Sequence, residues 1–106
     1  MELREALINL VLNAVDAMPE GGSITLETRH EQDWVLLSVT DTGTGIPPDA
    51  RRRIFEPFFT TKESRTGLGL SIVSGIISSQ GGTIGVASEV GLGTTFTIRL
   101  PAASAA

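Results

Sequence analysis

The chain has 106 residues, 12 of them acidic against 8 basic, for a formal net charge of −4. That length fits one small domain with a single core, and the acidic balance argues against non-specific nucleic-acid binding as its main work. Cysteine is absent, which excludes disulfides, zinc–thiolate sites and thiol catalysis.

No apolar run approaches the ~18 residues of a membrane span. The opening MELREALINL has mixed charge and no cleavage-site pattern, so neither an anchor nor a signal peptide is expected, and no direct membrane contact in this segment. The cytoplasm is the expected compartment.

The first predicted element is a helix over residues 2–18, rich in Leu, Ala and Val and stopped by Pro19 and Gly21-Gly22. On a helical wheel Glu5, Asn9, Asn13 and Asp16 fall within about 80° of one another. Apolar residues flank them on both sides: Leu3, Leu7, Leu10 and Ala14 on one, Ile8, Leu12 and Val15 on the other. A surface helix ordinarily pairs one apolar stripe with one broad polar face. Here the polar group is a narrow seam, and Asn in mid-helix has no propensity rationale. The seam either meets water or lines a polar cavity. In a cavity, Asn oxygens suit Mg²⁺ that keeps open water positions, and an acidic neighbour would orient water or a ligand.

Residues 23–29 alternate as a strand, and 34–41 are denser in apolar groups, as a central strand is. A turn at His30–Asp33 makes them a hairpin. The strand runs into DTGTGIPP (41–48). Asp41 there either caps the turn or offers an acceptor to a donor such as an exocyclic amino group, beside glycines that permit close approach of a flat ring. A loop over 42–66 follows, with one short helix near 49–54 and Arg51-Arg52-Arg53 read as a solvated face. Within it, FEPFFTTK places Phe55, Phe58 and Phe59 as a hydrophobic anchor or a partner patch. Lys62, the only lysine, follows as a point charge able to reach a phosphate.

SRTGLGLSIV (64–73) opens a helix predicted over 68–80, with Leu68, Leu70, Ile72, Val73, Ile76 and Ile77 on one side. Its glycines lie at the N-terminal end, where free N–H groups and the helix dipole favour an anion. It has neither the P-loop pattern nor the third glycine of a dinucleotide fingerprint. Strands at 83–88 and 94–100, joined by EVGLG, complete the order; the tail 102–106 is expected to be flexible. Gly-x-Gly recurs at 43/45, 67/69 and 91/93, but the flanks share nothing, so it is no repeat. Hairpins alternating with helices predict an α+β two-layer sandwich.

Taken together and in order, these segments resemble the ATP-binding catalytic domain of bacterial sensor histidine kinases, in the GHKL superfamily with gyrase, Hsp90 and MutL. NLVLNAVDAM is similar to the N box, DTGTGIP to the G1 box, FEPFF to the F box, TGLGLSIV to the G2 box, and GLGTTFTIRLP to the closing strand. NAVDAMP and PFFTTK resemble the nitrogen-regulation type. The resemblance covers residues 3–101 and implies the Bergerat fold, a mixed sheet packed on helices. It implies ATP and Mg²⁺ as ligands. Asn13 would bind the metal, and Asn9 would lie one turn earlier near the phosphates, with Asp16 and Ala17 following on that helix. Asp41 would bond the adenine amino group, and Gly43, Gly45 and Ile46 would shape the base pocket. Lys62, Thr66, Gly67, Leu68, Gly69 and Leu70 would meet the phosphates under a lid spanning 47–66, with Asn9, Asn13 and Lys62 serving catalysis. Thr95 would lie near the adenine.

Two departures stand out. Arg65 occupies the position at which the G2 pattern usually opens with Gly, where a bulky cation would add a phosphate contact or stiffen the lid. The family's preceding strand and its dimerising hairpin with the phosphoacceptor histidine are expected to be absent, and His30, in a predicted turn, is read as solvent-facing. The resemblance thus implies a kinase module that phosphorylates a histidine on another domain or chain, for relay to a response regulator. Two alternatives stay open: a non-catalytic nucleotide-binding or interaction fragment, and an ATPase of the chaperone or topoisomerase kind. The latter relies on a glutamate where this chain has Asn9, which cannot act as a general base.

Overall fold

Helix α1 (Glu2–Asp16) begins the fold in the computed structural model, which describes residues 2–56 and 69–102. The elements that follow are β1 (Ile24–Glu31), β2 (Trp34–Asp41), α2 (Pro48–Arg51), α3 (Gly69–Ser79), β3 (Thr83–Glu89) and β4 (Gly93–Pro101). Each predicted element is present with small shifts at its ends. The sheet has the order β1-β2-β4-β3. Helices α1 and α3 both lie on one of its faces, the two-layer sandwich expected.

The sheet is antiparallel in all three pairings among the described residues, where a mixed sheet was expected. Strands β2 and β3 do run the same way, as a crossover through a helix makes them. Strand β4 then turns back and fills the slot between them, a split β-α-β arrangement.

Burial follows the two periodicities. In α1 the buried stripe is Ala6, Leu10 and Ala14, one residue per turn. With Val73 and Ile77 of α3 it covers Val39 of β2 and Phe96 and Ile98 of β4. Leu10 is fully buried, so its truncation to Ala would cost roughly 2–5 kcal/mol. The second apolar flank of α1 is not buried: Ile8, Leu12 and Val15 are 49%, 39% and 50% exposed. One sheet face can satisfy only one stripe of a helix, so this flank borders an open groove of about 230 Å³ with Leu7, Val11 and Leu26. Ile72 of α3 is likewise exposed, because Leu70, Val73 and Ile77 already take the inward side.

The hairpin turn is tighter than expected. Glu31 pairs with Trp34, leaving Gln32 (φ 55°) and Asp33 as the loop. His30 therefore belongs to β1, opposite Val35, and is exposed there. On the outer face Arg99 lies 4.0 Å over the Trp34 ring. Ala102, the first residue of the expected flexible tail, donates to the Asp33 carbonyl at 2.7 Å; residues 103–106 lie outside the described residues.

Candidate nucleotide site

Strand direction brings the sequence motifs to one end of the sheet. Strand β2 ends at Asp41, beside Thr94 at the start of β4, which in turn follows the end of β3. Helix α3 feeds the opposite end of β3 through the turn at 80–82, so its N-terminus lies at the Asp41 end. Helix α1 finishes there too. Thr44 N–H donates to the Ala17 carbonyl at 3.1 Å, and a Cβ at Gly43 would stand 2.7 Å from the Ala17 Cβ. Only hydrogen fits at Gly43, and that close approach seats the end of α1 on the DTGTG turn.

The polar seam leads to the same place. Ala17 N–H still bonds the Asn13 carbonyl at 3.1 Å, so Asn9, Asn13 and Ala17 succeed one another at one-turn intervals. Asn9, Asn13 and Asp16 are half-buried, whereas Glu5, a turn further back, is exposed. The seam thus becomes more enclosed toward Asp41. Asp41 itself is 6% exposed, and its Oδ1 accepts the Gly43 N–H at 2.8 Å. It caps its turn as a buried carboxylate at the end of β2.

The glycines of this turn lie against other backbone. Gly45 (φ 81°) has no room for a Cβ because the Glu89 carbonyl lies against it, and Gly93 (φ 136°) is pressed in the same way on the Asp41 carbonyl. Gly91 N–H donates to Thr44 at 2.8 Å. The glycines of the 41–46 turn therefore accommodate backbone, from α1 and from the β3–β4 hairpin, and the two loops interlock. Ile46 is held there by its N–H, which donates to Ser88 Oγ at 2.7 Å. Arg51 is not a solvated residue: it is half-buried and donates to the Ser88 carbonyl at 2.9 Å. Arg52 is exposed and Arg53 pairs with Glu56, as a solvated face implies.

Thr95 is placed away from the site. It pairs with Thr40 across the strands, and the two hydroxyls bond at 3.0 Å on the outer face. The residue opposite Asp41 is Thr94, 6% exposed and on the inner face. Strand parity carried the signal: Phe96 and Ile98 mark the inward register of β4, and Thr94 belongs to it. The same alternation through Ile84 and Val86 points to Ser88, which also went unrecognised.

The start of the expected lid is anchored. Ala50 and Ile54 are buried, and Phe55 meets Phe96 edge-on with centroids 6.4 Å apart. Phe55 thus acts as a hydrophobic anchor. Phe58, Phe59, Lys62, Arg65, Thr66, Gly67 and Leu68 lie outside the described residues. Gly69 and half-buried Leu70 open α3. No trio of His, Asp and Glu side chains stands together among the described residues. The donors on offer are amide oxygens of Asn9 and Asn13. They are hard ligands that fit Mg²⁺ brought in largely by phosphate and water, and they are too few to cage it alone.

Comparison with known proteins agrees with this fold. Residues 1–104 match the family model described as histidine kinase-, DNA gyrase B-, and HSP90-like ATPase. The sensor kinase CckA of Brucella abortus is 53% identical over 117 residues, covering 94% of this chain and 12% of that protein. Full-length ShkA, solved in complex with AMPPNP, superposes with a TM-score of 0.85 at 42% identity, covering 94% of this chain and 21% of that one. The catalytic domain of histidine kinase ThkA, nucleotide-free, gives a TM-score of 0.84 at 40% identity, covering 94% of this chain and 66% of that one. The chain spans between 12% and 23% of the length of the curated relatives it matches.

Proposed function

Because the chain belongs to the histidine kinase-, DNA gyrase B-, and HSP90-like ATPase family, we propose that it binds ATP at the Asp41 end of the sheet and serves as the catalytic domain of a two-component sensor kinase. In this reading it passes the γ-phosphoryl group to a histidine on a separate domain or chain, in cis or in trans, for relay to a response regulator. The observation that carries it is the buried carboxylate of Asp41, held in its turn by Gly43 N–H and flanked by a half-buried Asn seam.

The roles follow from position for the described residues and from the family resemblance for Lys62 and Thr66–Leu68. Asp41 accepts from the adenine amino group, and Thr94 stands beside it in place of Thr95. Ala17, Gly43, Gly45 and Ile46 form the wall. Asn9 and Asn13 face the phosphates, Asn13 as the metal ligand, with Asp16 orienting water on that face. Bound Mg²⁺ supplies charge neutralisation to the transferring phosphoryl group. The backbone N–H groups at Gly69 and Leu70 receive phosphate oxygens at a helix N-terminus, and Lys62 with Thr66–Leu68 completes that cradle. Asn9 cannot activate water as a general base, which favours transfer to a positioned acceptor over hydrolysis. NAVDAMP and PFFTTK favour the nitrogen-regulation type within the kinases.

We take residues 1–101 as the catalytic domain. The exposed flank Ile8, Leu12 and Val15, with Leu26 and the outer edge of β1, suits a preceding strand and the acceptor-bearing hairpin. A strand added there in parallel would make the sheet mixed. No helix among the described residues is long and apolar enough to cross a membrane, and we place the domain in the cytoplasm. One experiment tests the function. The chain is mixed with a separately made acceptor hairpin and labelled ATP, wild type beside Asp41→Asn. The expected result is acid-labile, base-stable label on the hairpin with wild type alone, together with calorimetric loss of ATP binding in the variant. Equal ATP affinity in both proteins overturns the site, and binding without transfer favours a non-catalytic nucleotide module.

A further inference from the structure

Ser88 is bonded from both ends of one short span of chain. Ile46 N–H donates to its Oγ at 2.7 Å, and Arg51 Nη1 donates to its carbonyl at 2.9 Å. Between these two bonds the chain passes through Pro47, extended at φ −64° and ψ 152°, and Pro48, which opens α2. Successive prolines fix φ at both positions. The span is therefore stiff, and tying down one end directs the other.

Helix α2 needs such a tie. It has four residues, and no side chain caps its start. A single turn is not stable on its own, because nucleation costs more than one bond returns. Ala50 is its buried residue, and the half-buried Arg51 guanidinium fastens it to the end of β3. A hydrogen bond from a charged donor is stronger than one between neutral groups. The neighbouring arginines do other work: Arg52 is exposed, and Arg53 pairs with Glu56.

We propose that Arg51 is a positioning residue for nucleotide binding: its bond to the Ser88 carbonyl seats α2 on the end of β3 and so holds Ile46 in place at the Asp41 end. This rests on the nucleotide site read above. Arg51 acts through Ile46 and the stiff span between them, not as a ligand of the phosphates. Without the bond, Ile46 samples positions away from the site. A site that is formed only part of the time binds its ligand more weakly in proportion. The loss falls equally on a nucleoside diphosphate and a triphosphate, because the part that moves does not touch the terminal phosphate.

The test uses the full chain as wild type, Arg51→Met, which keeps an unbranched stem without donors, and Arg51→Lys, which keeps one charged donor. Without ligand, amide exchange followed by NMR should rise about tenfold at Ile46 in Arg51→Met, while Val39 and Ile98 in the sheet keep their protection. With ligand, calorimetry should show ADP and a non-hydrolysable ATP analogue both weakened about fivefold, their ratio unchanged. Arg51→Lys should recover both measurements toward wild type. Unchanged exchange at Ile46 in Arg51→Met overturns the proposal. So does a loss confined to the ATP analogue, which would make Arg51 a phosphate ligand. Protection lost at Val39 and Ile98 as well marks a general structural role and overturns it too. A wild type that binds neither nucleotide overturns the site and this role together; faster Ile46 exchange in Arg51→Met then shows that the clamp exists and that the site is what failed.

Discussion

Two Gly-x-Gly turns, at 43/45 and 91/93, are spelled alike and meet in space. In the first, both glycines are pressed by other backbone: Gly43 by the end of α1 and Gly45 by the Glu89 carbonyl. In the second, only Gly93 is pressed, by the Asp41 carbonyl, while a Cβ at Gly91 would have nothing within 4 Å. The turns interlock through Gly91 N–H on Thr44 and Ile46 N–H on Ser88. One turn brings the Asp41 carboxylate and the other brings Thr94, opposite it in the sheet. The lesson is that a glycine pair marks close approach without saying what approaches.

Four substitutions in and beside the second turn test how the two turns interlock. The largest effect is expected at Gly93→Ala, whose Cβ would overlap the Asp41 carbonyl at a backbone angle side chains avoid. Urea unfolding should show a loss of about 3 kcal/mol or more; a loss under about 1 kcal/mol would break the interlock. Next comes Thr94→Val, which removes the inner-face hydroxyl and should weaken binding of an ATP analogue about tenfold. Thr95→Val alters the outer face and should change affinity less than about twofold, with up to about 1 kcal/mol of stability lost with the Thr40 bond. The reverse order in titrations would overturn the assignment of faces. The smallest effect is expected at Gly91→Ala. Its φ of 86° is disfavoured for alanine but the space is open, so stability should fall by about 1 kcal/mol and nucleotide affinity should hold.

Much of this was legible before any coordinates. Periodicity locates every element among the described residues, and strand parity in β4 sets Thr94 with inward Phe96 and Ile98. Helical spacing likewise lined up Asn9, Asn13 and Ala17. Motif residues also serve contacts within the fold. Arg51 looked like one of three solvated arginines, yet it bonds the Ser88 carbonyl. The second apolar flank of α1, Ile8, Leu12 and Val15, is open.

The amino-acid order by itself determined the elements, the positions of the seam and turn motifs, and the family they resemble, since those depend on local spacing and residue type. Only the tertiary structure decided that β4 inserts between β2 and β3, that the glycines of the Asp41 turn receive backbone, and that Ser88 joins the two loops. Those outcomes depend on contacts between residues distant in the chain, Ile46 with Ser88 and Asp41 with Thr94, and pairing at that range is set by packing the whole sheet against two helices.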